Sequence, residues 1–68
     1  MSRFQLIFRD ARGERSEIHD NNLYDEPRID GKPIVDGETY KIGGSQWVIR
    51  STERLDGMAR FVCTLASG

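Results

Sequence analysis

Between Ile29 and Ala66 short apolar runs are cut by Asp30-Gly31, Asp36-Gly37, Gly43-Gly44 and Asp56-Gly57. Pairs of this composition supply the positive φ that two-residue hairpin connections demand, so the punctuation spells strands joined by tight turns. The N-terminal run adds a period of two, with Phe4, Leu6 and Phe8 on one parity and Arg3, Gln5, Ile7 and Arg9 on the other. No helical period competes at useful length, and no internal repeat, low-complexity tract or interdomain linker is present.

The strands can be placed in order. Asp10-Ala11-Arg12-Gly13 forms a turn, and Glu14 to His19 returns with Ile18 as its apolar anchor. Asp20 to Pro27 is rich in turn formers and reads as a loop, with Leu23 and Tyr24 folding back over one end of the core. Arg28 to Asp30 and Pro33 to Val35 are short extended pieces, since each proline biases its predecessor away from helix. Glu38 to Ile42 and Ser45 to Ser51 flank Gly43-Gly44. A loop from Thr52 to Gly57 leads into a last strand, Met58 to Ala66.

Five to six strands with an apolar inner face and no covering helix must curl, because a flat sheet would leave that face wet. The expectation is an all-β fold, a small antiparallel, partly open barrel or roll spanning residues 1–68 as one domain. An SH3-like arrangement is the first choice and an OB-like one the second. The predicted core is Phe4, Leu6, Phe8, Ile18, Ile34, Tyr40, Ile42, Trp47, Ile49, Phe61, Cys63 and Leu65.

A chain of 68 residues buries about 60% of its unfolded surface, enough for one thin core. Nothing staples it. The single Cys63 has no partner for an intramolecular disulfide, and with only His19 beside it the four ligands of a structural zinc site are lacking. The formal net charge is −1, so bulk composition marks neither a polyanion mimic nor a basic nucleic-acid binder. Phe4 to Phe8 is too short and too soon interrupted by Arg9 to be a signal sequence or membrane span, and a cytoplasmic location is expected.

Catalytic chemistry finds little support. Cys63 and His19 are the conventional nucleophile and base, yet Cys63 shares parity with Phe61 and Leu65, where a small buried hydrophobe is the simpler reading. Asp20, Asn21, Asn22, Asp25 and Glu26 offer oxygen ligands without the spacing of a calcium loop, and Gly43-Gly44-Ser45 lacks the lysine and helix of a phosphate loop. No cofactor fingerprint is present. We expect a protein that is not an enzyme and carries no metal or cofactor.

Binding remains. Eight of the ten basic residues are arginine, suited to planar recognition of carboxylates or phosphates. Ile7, Val48 and Val62 lie on the outward parity of three strands, beside Arg9, Arg50 and Arg60. These six residues predict a contact surface with an apolar centre and an arginine rim, provided their three strands are neighbours. A protein partner or self-association is the expected use. Nucleic-acid binding through the same arginines is the alternative, weakened because Phe4, Phe8, Tyr40, Trp47 and Phe61 all fall on the core parity and leave only Tyr24 for base stacking.

Overall fold

Alternating parity makes the first strand, and the computed structural model describes residues 2–21 and 26–66; Leu23 and Tyr24 lie outside them. β1 (Ser2–Asp10) turns at Ala11-Arg12 into β2 (Gly13–Asn21). β3 (Arg28–Ile29) and β4 (Lys32–Pro33) form a small hairpin. β5 (Thr39–Ile42), β6 (Ser45–Leu55) and β7 (Met58–Leu65) form a meander. Three of the predicted dipeptides turn hairpins with both residues at positive φ: Asp30-Gly31, Gly43-Gly44 and Asp56-Gly57. The two aspartates are the only non-glycine residues described in that region, where Asp is tolerated because its short polar side chain bonds locally.

The main sheet runs β2-β1-β7-β6-β5. The expectation of antiparallel pairing throughout is corrected here, since β1 and β7 are parallel, from Phe4 opposite Ala59 to Arg9 opposite Thr64. Parity dictates which face a side chain takes. It carries no information on direction, which is set by the excursion between β2 and β5. The expected loop from Thr52 to Gly57 is also corrected: β6 continues to Leu55, with Thr52 opposite Phe61 and Glu53 opposite Arg60.

The sheet curls into a half-barrel, as shown by a cavity of about 260 Å³ that is lined jointly by His19 of one edge strand and Ile42 of the other. Its concave side is the core: Phe4, Leu6, Phe8, Tyr40, Trp47, Ile49, Ala59, Phe61 and Cys63, with Ile29, Ile34 and Ile42 packed against them. Phe8 meets Trp47 edge to face at 4.7 Å, and Phe4 meets Phe61 likewise at 5.9 Å. Tyr40 closes the lower rim. Its hydroxyl accepts the Val35 N–H at 2.8 Å and donates to the Pro33 carbonyl at 2.5 Å, fixing the segment after β4 to the sheet.

Two expected core residues are corrected. Ile18 is 60% exposed because it stands opposite Gln5, on the convex side. Leu65 keeps the inner parity opposite Trp47 but sits at the strand end, where the half-barrel is open, and is 48% exposed. Conversely Ala59 is buried, a position that its small size hid from a search for large apolar residues.

Candidate functional site

The convex face of the sheet collects the six predicted binding residues. β1, β7 and β6 are consecutive neighbours, so Ile7 stands beside Val62 and Arg9 beside Thr64, which in turn stands opposite Val48. Arg50 joins them through a β-bulge. The register slips between Ile49 and Ser51, so Arg50 is the extra residue and Ser51, not Arg50, pairs with Val62. The Arg50 Nε donates to Thr64 Oγ1 at 2.9 Å, which places its side chain on the convex side.

These residues form three cross-strand rows. The upper row is Ile18, Gln5, Arg60 and Glu53; the middle row is Ser16, Ile7, Val62 and Ser51; the lower row is Glu14, Arg9, Thr64 and Val48. Arg60 spans its row, with Nε donating to Gln5 Oε1 at 3.1 Å and Nη1 lying 3.6 Å from Glu53 Oε2. Arg9 donates to Glu14 across the β1/β2 pair.

The apolar centre differs from the expectation. Ile7 and Val62 were expected to face solvent and are instead 4% and 3% exposed, while Val48 is half-buried. The physical reason lies in their neighbours. In the middle of a five-stranded sheet each small β-branched side chain is flanked by rows carrying Arg9 and Arg60, and side chains of this length lay their methylene stems along apolar surface while keeping their heads in water. What the face presents outward is therefore its arginine rows.

The convex face as a whole is positive on balance. Arg3, Arg9, Lys41, Arg50 and Arg60 take the outward parity against Glu14, Asp20 and Glu53, in a chain whose net charge is −1. Arg3 is tied to Asp20 at 2.8 Å, and this carboxylate holds its guanidinium above the ordinary pKa. Arg50 is the arginine whose recorded partner is a hydroxyl rather than a carboxylate, which leaves the rest of its fork for another group.

The inner side of β2 is polar and was missed from sequence. Arg15, Glu17 and His19 share the parity of the core, opposite Phe8, Leu6 and Phe4. Glu17 bonds both neighbours, Arg15 Nη1 and His19 Nε2 each at 3.1 Å. Arg15 lies over the Phe8 ring at 4.7 Å and His19 stacks on Phe4 at 5.4 Å, so charged groups and not a further strand cap this edge of the core. Arg15, Glu17 and His19 at alternate positions were the available signal.

Cys63 is fully buried with its Sγ 3.7 Å from the Phe61 carbonyl, while His19 is engaged by Glu17. Burial pushes the thiol up to about 11. Of the predicted acidic loop, Asp20 is held by Arg3 and Glu26 by Arg28 at 2.7 Å; Asn22 and Asp25 lie outside the described residues. Among the described residues no three His, Cys, Asp or Glu side chains cluster as metal ligands, and no helix is long and apolar enough to cross a membrane. Comparison of the chain with protein-family models, curated proteins and solved structures finds no match.

Proposed function

We propose that this chain is a non-catalytic interaction module that binds an acidic protein segment on the convex face of its sheet. The observation that carries the reading is the charge asymmetry: arginine rows over a covered apolar floor, with Arg50 free of any carboxylate among the described residues. Carboxylates of a partner would meet Arg9, Arg50 and Arg60 at the rim, and Val48 supplies the remaining apolar contact. A cytoplasmic, SH3-like module is the architectural reading. The sequential hairpins β5-β6-β7 support it over an OB-like one, and the parallel β1/β7 pair departs from the antiparallel scheme expected.

Nucleic acid is the second reading, favoured by the same basic rows. The burial of Phe4, Phe8, Tyr40, Trp47 and Phe61 counts against it, because stacking platforms are then lacking among the described aromatics. A backbone NMR titration separates the two. With a Glu-rich peptide, amide shifts should concentrate on β1, β6 and β7, and Val48→Asp should weaken binding roughly tenfold or more while leaving the fold intact. Shifts with a single-stranded oligonucleotide alone, lost steeply with salt, would assign the face to nucleic acid.

A further inference from the structure

A second surface lies at the sheet edge. β2 is nine residues long, contains no proline, and among the described residues has β1 as its only neighbour in the sheet. Natural edges of this length are blunted by charge, and β2 carries Glu14, Arg15, Glu17 and Asp20. Its middle breaks the rule. Ile18 is the most exposed large apolar side chain described, 60% accessible, on a strand with no other apolar residue.

We infer that β2 is the site at which a second copy of this chain adds, antiparallel, with the two-fold axis through Ile18. Two-fold pairing that keeps the sheet faces continuous must centre on one residue, and the side chains discriminate among the choices. Centred on Glu17, the register sets Glu17 against Glu17 and Glu14 against Asp20, like charge against like. Centred on Ser16, it pairs Arg15 with Glu17 but leaves each Ile18 against Glu14 of the other copy. Centred on Ile18, it packs Ile18 on Ile18 on the convex side, sets Glu17 against His19 twice on the concave side, and places Ser16 opposite Asp20 twice. No like charges are opposed.

The overlap, residues 15 to 21, is seven residues from each copy. Backbone pairing would supply the affinity and the Ile18 contact the register. Strand addition of this length buries less than the roughly 1,200 Å² of a standard stable interface, so the dimer is a weak one, with a dissociation constant of about 100 µM. The convex face stays open in the resulting continuous sheet. The pairing edge looks away from β1, whereas the surface proposed for the acidic partner is the convex face with Arg50 on β6, three strands away; the two adjoin at Ile18, which stands in the row of Gln5 and Arg60.

Sedimentation equilibrium from about 10 µM to about 1 mM tests the assignment. The expected result is an average mass rising toward twice the monomer's, with Ile18→Lys raising the dissociation constant at least tenfold while its circular dichroism and melting stay native, as an exposed position allows. Hydrogen exchange at high and low concentration gives a second readout: slowing confined to the β2 amides directed away from β1 supports the register. A mass that stays monomeric throughout overturns the inference. So does equal association by Ile18→Lys, slowing on β5 instead of β2, or association lost in Arg50→Glu but kept in Ile18→Lys, which would put the copies face to face.

Discussion

The two sides of the same sheet bury their residues by different means. On the concave side Phe8, Trp47, Phe4 and Phe61 close on one another edge to face, and the rings shut out water themselves. On the convex side Ile7 and Val62 are nearly as inaccessible, yet no second layer is described above them; the rows on either side carry Arg9 and Arg60, which bond sideways to Glu14, Gln5 and Glu53. Low exposure thus means two things. Inside, it marks packed contacts whose removal leaves a cavity; outside, it marks shelter that neighbours can partly restore by moving.

Trp47 offers the largest test of that difference. Trp47→Ala should cost about 3–5 kcal/mol, comparable to the whole stability of a core this small, whereas Ile7→Ala should cost about 2 kcal/mol because flanking side chains can settle into the space. Chemical denaturation of both variants checks the ranking, and equal losses would break the distinction between the faces. Trp47→Phe sharpens it. The indole Nε1 is buried without a hydrogen-bond partner among the described residues. Replacing it removes that unpaired donor along with some volume, so the loss should be well below that of Trp47→Ala.

Cys63 probes the inner side through pH. Its thiol rises from 9.0 to about 11 on folding, so between those values the unfolded chain releases its proton first. Stability is then full below about pH 9 and falls toward pH 11, by up to about 2–3 kcal/mol. The difference between wild-type and Cys63→Ala denaturation across this range isolates the effect from tyrosine and lysine titration. A parallel pair of curves, or fast thiol labelling of the native protein at neutral pH, would mean that the concave side admits water.

The smallest effect belongs to the arginine cover. Arg60→Ala removes two partly exposed contacts and part of the shelter over Ile7 and Val62, and a loss of about 1 kcal/mol or less is expected. Arg60→Met, which keeps the stem and drops the charge, should recover most of it. If Met recovers nothing, the ion pair and not the stem protects the floor.

Much of the architecture follows from short-range pattern. The alternation around Phe4, Leu6 and Phe8 is enough to assign a face, and Asp30-Gly31, Gly43-Gly44 and Asp56-Gly57 locate three hairpins because positive φ restricts which residues can stand there. The residues of the predicted contact surface came together because Ile7, Val62 and Val48 sit on neighbouring strands, a fact of pairing that parity alone leaves open. Their exposure was misjudged since cover by Arg9 and Arg60 depends on which strands flank which. Ile18 was misplaced for a related reason: one apolar residue in a charged strand names no face. The bulge at Arg50 has no local marker at all, being fixed by how β6 must bend to follow β7.

The parallel pairing of β1 with β7 has a consequence for how the chain reaches this shape during synthesis. Gln5 waits for Arg60, 55 positions later, before the middle of the sheet exists. Until then β1 has only its β2 hairpin, and a lone two-stranded ribbon is marginal in water. A ribosome-tethered chain would hold Phe4 and Phe8 uncovered until β7 has been made. Assembly of the sheet is consequently a late, nearly simultaneous event governed by long-loop closure, slow for a sheet of this size and dependent on β7 to begin rather than to finish.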